Sequence, residues 1–315
     1  IEGVRGKAGI KICILHPHNK VSRVQELQMT TVADDNVLNL AVEGTFDDCQ
    51  RIIKELFADV AFKRRYHLRA INSINIARIL AQTVYYFYAY FRLAEQGHEG
   101  PVNFSVPTGN FGDIFAGYIA KRMGLPVGKL ILATNENDIL ARFFESGVYQ
   151  PGEFRGTYSP SMDIQVASNF ERYLYDLYDG DAGTVDSLME RFKAEGRIEV
   201  PEDVLRRARA DFAAYSVSND ECLDTLARYY ETYGYLLDPH TACGVAAADR
   251  RADEGEVTIA LSTAHPAKFD EAIRLRNISQ VYPEPIRELF GKPRRVTVVA
   301  NANERVKEQL EAFFA

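Results

Sequence analysis

Short apolar runs, several rich in β-branched residues, alternate along this chain with stretches of helical period, and few folds other than a largely parallel sheet with helices on both faces accept that alternation. The runs 10–16 (IKICILH) and 37–43 (VLNLAVE) flank a helical stretch near 22–32, which reads as a βαβ unit. Thr45 then stands as an N-cap before FDDCQRIIKELF, with Asp47 and Asp48 in the first turn, where the helix dipole favours carboxylates. Residues 74–96 are apolar around most of a helical circumference, which predicts a largely buried helix. Further strands are expected at 102–106, 129–133, 256–261 and 295–299. Helices are expected at 138–146, 169–179, 184–195, 201–214, 219–233, 239–252 and 303–314, with an irregular stretch at 147–168.

The segment 102–124 (VNFSVPTGNFGDIFAGYIAKRMG) joins a strand to an amphipathic helix through the loop 107–113. Such a junction suits a phosphate, because the first turn of a helix carries N–H groups without intrahelical partners and partial positive charge. Gly109 and Gly112 let backbone approach an anion closely. A Gly-rich turn is also an ordinary βα connection, so the loop alone leaves both readings open. A second candidate is 72–78 (NSINIAR): Asn72 or Ser73 can cap the helix, while Arg78 among Ile76, Ala77, Ile79 and Leu80 would be costly to bury without an anionic partner. A third is the turn 261–269 (LSTAHPAKF) after an apolar strand, with Thr263, His265 and Lys268. Taken singly, each of these three has an ordinary loop role. In open α/β sheets ligands sit beyond the carboxyl ends of strands, so this loop and 107–113 can meet at one pocket.

Other features carry less. The glycines of 3–9 precede a strand instead of following one, which defeats a dinucleotide reading, and the aromatic residues of 85–91 fall on all sides of a helix, as core residues do. The 315 residues suit two domains or one large α/β unit with an added lobe. A composition of 46% hydrophobic and 26% charged residues, with no apolar run near the roughly 20 needed to cross a bilayer, argues against a membrane protein. The net charge of −7 argues against nucleic acid and leaves small anions as ligands. Cys13, Cys49, Cys222 and Cys243 lie far apart with no histidine at ligand spacing, which predicts reduced thiols, no metal and a cytoplasmic location. The chain starts at Ile1 with no leader, and a preceding segment is expected.

Taken together, 16–32 (HPHNKVSRVQELQMTTV), 41–50 (AVEGTFDDCQ), 72–78 (NSINIAR), 106–113 (VPTGNFGD), 133–140 (ATNENDIL) and 262–269 (STAHPAKF) resemble threonine synthase, in its monomeric fungal and bacterial branch. The resemblance runs from residue 1 to about 275. It implies an α/β protein of pyridoxal-phosphate fold type II (tryptophan-synthase β-like), with open, mostly parallel sheets. Residues 1–73 would be the remainder of a small, mobile domain and 74–315 a large cofactor-binding domain. It also implies pyridoxal 5'-phosphate as cofactor, and conversion of O-phosphohomoserine and water to threonine and phosphate, the last step of threonine biosynthesis. By the resemblance Gly109, Asn110, Phe111, Gly112 and Asp113 hold the cofactor phosphate, and Thr263 hydrogen-bonds the pyridine nitrogen. Asn72, Ser73 and Arg78 would bind the substrate phosphate, for which a guanidinium has the matching fork.

The family's Schiff-base lysine lies in an Ala-Phe-Lys-Asp type segment upstream of a Ser-Gly-Asp-Thr-Gly loop, and neither occurs here. The lysine is therefore expected upstream of Ile1, no catalytic residue is assigned within these 315 residues, and they are expected to be inactive alone. Lys268 is rejected as a substitute because nothing local desolvates it. Two other readings are a noncatalytic binder of a phosphorylated metabolite and another pyridoxal-dependent eliminase. Arg78 speaks against the second, since a substrate without a distal phosphate has no use for it.

Overall fold

The computed structural model describes residues 1–71, 75–251 and 255–315. The first elements are β1 (Ile12–Pro17), α1 (Arg23–Thr30), β2 (Val37–Val42), α2 (Phe46–Ala58), α3 (Val60–Arg65), α4 (Ile76–Ala94), β3 (Val102–Pro107) and α5 (Gly112–Arg122). There follow β4 (Val127–Thr134), α6 (Ile139–Ser146), β5 (Val148–Tyr149), α7 (Phe170–Leu177), α8 (Ala182–Glu195), β6 (Ile198–Glu199), α9 (Glu202–Asp211) and β7 (Phe212–Ser216). The last are α10 (Asn219–Tyr233), α11 (Pro239–Arg250), β8 (Thr258–Ala260), α12 (Asp270–Arg274), α13 (Glu284–Arg287), β9 (Thr297–Val299) and α14 (Asn303–Phe314). They form two compact units, one of Ile1–Arg69, Ala267–Phe269 and Gln280–Ala315, the other of Ala70–Pro266 and Asp270–Ser279.

The first unit is built on a parallel sheet in the order β1-β2-β9, with Ile12 opposite Val37 and Leu40 opposite Thr297. Leu40 and Val42 of the central strand share a core with Cys49, Ile52 and Leu56 of α2 and Val306 and Leu310 of α14. Helix α2 starts where the sequence places it, through a full capping box: the Thr45 hydroxyl accepts from the Asp48 N–H at 3.2 Å, and the Thr45 N–H donates to Asp48 Oδ2 at 2.8 Å. Residues 280–315 join this unit, where the sequence reading gave them to the large domain. The physical reason is an open edge: β9 pairs with β2, and the apolar stripe of α14 covers α2.

The second unit holds a four-stranded parallel sheet, β7-β4-β3-β8. All six residues of β3 are buried. Phe104, Val106, Leu130 and Leu132 share one core with Tyr86 of α4 and Ile114 of α5, while Ile131 and Ala133 pack with Ala247 of α11. Alternate residues of each strand thus serve opposite helical layers. Helix α11 comes so close to β3 that a Cβ at Gly244 would sit 3.0 Å from Pro107 Cγ.

Two helix expectations change. The segment 201–214 is helical only to Asp211, and Phe212–Ser216 is a strand pairing in parallel with β4 from Leu130–Phe212 to Thr134–Ser216. Phe212 is drawn there by a cluster of rings, 5.1 Å from Tyr173 and 5.1 Å from Phe144, and its strand supplies the backbone partners that the β4 edge requires. Helix α4 is not largely buried: Ile79, Thr83 and Tyr86 are, whereas Leu80, Val84, Tyr85, Tyr88 and Phe91 are 49–67% exposed. A helix lying on one face of a sheet buries one stripe, however apolar its other sides are.

That stripe closes on Gly117 of α5, where a Cβ would lie 2.5 Å from Tyr86 Cε1 and 2.9 Å from Leu130 Cδ2. Alanine in an unhindered helix gains up to about 1 kcal/mol over glycine. Gly117→Ala is instead expected to lose about 1–3 kcal/mol through overpacking. Urea denaturation decides by the sign.

Candidate functional site

Strand β3 delivers the loop 107–113 with its backbone already committed. Thr108 donates its N–H to Ala133 O at 2.7 Å and its hydroxyl to Val106 O at 2.7 Å, which fastens the loop to the ends of β3 and β4. Asn110 makes an Asx turn, its Oδ1 accepting from the Gly112 N–H at 2.9 Å. Asn110 O accepts in turn from the Asn169 N–H at 3.1 Å and from Asn169 Nδ2 at 3.3 Å. Phe111 has φ +65°, a left-handed conformation unusual for a bulky residue, and its ring is fully buried. The N-cap residue Phe111 makes no side-chain cap bond, so apart from the Gly112 N–H, which Asn110 takes, the first-turn N–H groups of α5 are not satisfied by the device that closes α2.

Gly109 is pressed against the backbone of 161–162: a Cβ there would meet Ser161 O and Met162 Cα, both at 3.1 Å. Part of the stretch 147–168, for which the sequence offered no role, therefore lies against the loop 107–113. A polar network holds it there. Asn135 Nδ2 reaches Thr157 Oγ1 and Asp163 Oδ1, both at 2.8 Å, and Asn137 Nδ2 reaches Arg155 O at 2.7 Å. Burial pushes the Asp163 carboxyl up, and hydrogen bonds from Thr157 and Asn135 oppose that shift. Asn169 and this network were missed in the sequence because their partners are distant along the chain. The one signal was the cluster of amides in ATNENDIL.

The Asp113 carboxyl, in the first turn of α5, meets the Tyr86 hydroxyl, with Oη to Oδ1 at 3.2 Å and Oη to Asp113 O at 2.8 Å. Burial raises its pKa to about 6, against the lowering effect of the Tyr86 hydrogen bond. Asp113 offers an anion its N–H, while its carboxyl is engaged with α4.

Strand β8 lies beside β3 in parallel, with Ser105 opposite Ala260, and the Leu261 N–H donates to Ser105 O at 2.9 Å. The loops at 107–113 and 262–266 therefore leave the same end of neighbouring strands, about 5 Å apart by sheet spacing. Thr263 is exposed, and its N–H donates to Thr241 Oγ1 at 3.2 Å.

Asn72 and Ser73 lie outside the described residues. The N-cap of α4 is Asn75, whose Oδ1 accepts from the Ala77 N–H at 3.0 Å, in place of Asn72 or Ser73. Arg78 is exposed and donates to Ile71 O at 3.3 Å. The expected burial of its guanidinium fails because the neighbouring Ile76, Ala77 and Leu80 are themselves exposed. Burial therefore gives Arg78 no need of an anionic partner. Among the described residues no cluster of histidine, cysteine or acidic side chains could hold a metal, and no helix is long and apolar enough to cross a membrane.

The donor set suits a phosphate dianion: an uncapped helix start, an Asx turn, glycine backbone and a carboxyl held away by Tyr86. The model of the family described as pyridoxal-phosphate dependent enzyme matches residues 6–262, and that of the threonine synthase C-terminal family matches residues 241–310. The threonine synthase of Pseudomonas aeruginosa is 47% identical over 310 residues, covering 98% of this chain and 66% of its own length. That of Schizosaccharomyces pombe is 48% identical over 300 residues, with 87% of this chain and 58% of its own length covered. The chain belongs to the threonine synthase family. A pyridoxal-phosphate-bound threonine synthase from Brucella melitensis superposes with a TM-score of 0.90 at 43% identity, over 99% of this chain and 67% of that one. The yeast threonine synthase gives 0.89 at 42% identity, over 100% and 67%. The fold is accordingly that of the pyridoxal-phosphate-dependent enzymes, with parallel sheets and helices on both faces. The threonine synthase match reaches residue 310, beyond the point near 275 where the resemblance in the sequence fades.

Proposed function

We propose that this chain carries the cofactor and substrate phosphate sites of a threonine synthase, which converts O-phosphohomoserine and water to threonine and phosphate. The observation that carries the reading is the uncapped start of α5 behind the Asn110 turn, next to the loop that presents Thr263. Residues 109–113 hold the cofactor phosphate through backbone N–H groups other than that of Gly112, which donates to Asn110. Thr263 meets the pyridine nitrogen as a neutral partner. Asn72, Ser73 and Arg78 take the substrate phosphate, and an exposed, forked guanidinium suits a ligand that must enter and leave. Pyridoxal phosphate, when bound, supplies the electron sink for proton loss next to the substrate amino group.

The unit containing Ala70–Pro266 serves as the cofactor domain, and the other as the smaller domain. The protein acts as a monomer on a free metabolite in the cytoplasm, a compartment that suits its free cysteines. Lys268, the last residue of a short turn at Pro266–Lys268, does not serve as the covalent lysine. A polypeptide of these 315 residues therefore binds and does not turn over.

Titration with pyridoxal phosphate tests this. We expect it to bind at least tenfold more tightly than pyridoxal, and Gly112→Asp, whose Cβ would lie 2.9 Å from Asn110 Oδ1, to abolish the difference. Borohydride treatment of the loaded polypeptide should leave Lys268 unmodified. Equal affinity for pyridoxal would remove the phosphate reading, and cofactor fixed on Lys268 would overturn the assignment of that residue.

A further inference from the structure

We infer that Asp238 is a positioning residue that fixes both ends of the cofactor site at once. It is the N-cap of α11 and is 1% exposed, a place where a carboxylate persists only if its oxygens are satisfied. The helix start supplies part of that: Oδ1 accepts from the His240 N–H at 2.9 Å and Oδ2 from the Thr241 N–H at 3.4 Å. An ordinary cap ends there. Here each oxygen also takes a side-chain partner, and each partner continues to a different end of the site.

Oδ1 lies 2.9 Å from His240 Nδ1, and His240 Nε2 accepts from the Ser161 N–H at 3.1 Å. Because Nε2 must offer a lone pair to that N–H, the ring proton sits on Nδ1 and is given to Asp238. Ser161 is the residue whose carbonyl presses on Gly109 of the phosphate loop. On the other side the Thr241 hydroxyl donates to Asp238 Oδ2 and accepts from the Thr263 N–H at 3.2 Å. With both capacities used, that hydroxyl is fixed in rotation and sets the backbone of Thr263. His240 and Thr241 are 4% and 3% exposed, so water does not compete for either link. One carboxylate thereby sets the distance between the phosphate cradle and the group that meets the ring nitrogen. A rigid cofactor requires that distance to be right, since loss of register by about 1 Å is costly in a preorganised site.

The inference rests on the proposed roles of 109–113 and Thr263, and variants at three positions, Asp238, His240 and Thr241, separate its failure from theirs. Thr241→Val keeps the shape and removes the hydroxyl link. It is expected to weaken pyridoxal phosphate about tenfold and change the absorption of the bound ring, while leaving inorganic phosphate affinity unchanged. Thr241→Ser is expected to restore both. His240→Ala is expected to weaken inorganic phosphate and pyridoxal phosphate together, with the ring absorption unaltered. Asp238→Asn should produce both losses, and adding Thr241→Val to it should weaken binding by less than Thr241→Val does alone. A merely structural helix cap would lower the melting temperature in all three without dividing phosphate from ring effects. If the variants bind like the parent while Gly112→Asp abolishes binding, the positioning role is wrong and the cofactor site stands. If Gly112→Asp is also silent, the site assignment itself fails.

Discussion

Phe111→Ala is expected to lower the stability to unfolding by about 3–5 kcal/mol, the range for removing a large, fully packed ring. The Phe111 ring is sealed among Phe170 at 5.4 Å, Tyr173 at 5.5 Å, Phe212 at 5.6 Å and Phe115 at 6.3 Å. The backbone beneath it is left-handed, with φ +65° and ψ 11°. A residue with a Cβ pays roughly 1–2 kcal/mol for that conformation, and glycine does not. Phe111→Gly should therefore be as stable as Phe111→Ala or about 1 kcal/mol more stable, the reverse of their order inside a helix. Urea denaturation of the two variants side by side reads this out. The usual order, with alanine ahead, would mean that the loop relaxes once the ring is gone. The burial of the ring thus offsets the strained turn that points the α5 N–H groups outward.

Asp113 gives the second large effect, in the pH dependence. Its carboxyl titrates near 6 in the folded protein against a reference of 3.8. Between those values the folded state binds the proton that the unfolded state has released, so stability from this group falls as pH rises from about 4 to 6 and stays lower above it. At 1.36 kcal/mol per unit the change is about 2–3 kcal/mol. Asp113→Asn keeps an oxygen for the Tyr86 hydroxyl without the charge. The variant should therefore gain on the parent by about 2–3 kcal/mol on going from pH 4 to pH 7, measured as the difference between their unfolding free energies. A constant difference across that range would show that the carboxyl is solvated.

The central strands were legible because KLILAT leaves the continuous apolar run of a strand buried on both faces, and VNFSVP alternates apolar with small polar residues at the period of a strand. The start of α2 was legible because Thr45 and Asp48 are three residues apart and need nothing else. Strand β7 was not, since FAAYS follows the 10 residues of α9 without a break, and only the neighbouring β4 and the rings around Phe212 decide its state. For α4 the composition was read correctly and its environment was not: an apolar residue does not reveal which sides of its helix are covered. At the site the loops could be read from local signals, glycines and a polar turn after a strand. The groups that hold them, Asn169, Asp163 and Thr241, act across long separations, and in the sequence each looks like an ordinary loop or helix residue.

The return of β9 to β2 has a consequence for biosynthesis. The β1-β2-β9 pairing of the first unit forms only when residues 297–299 have left the ribosome, long after β1 and β2 have been made. The second unit is nearly continuous between Ala70 and Ser279 and has no such wait. Of these residues the second unit therefore becomes compact first, while β2 keeps an open edge until β9 arrives. During that interval the nascent chain is most exposed to aggregation and to chaperones.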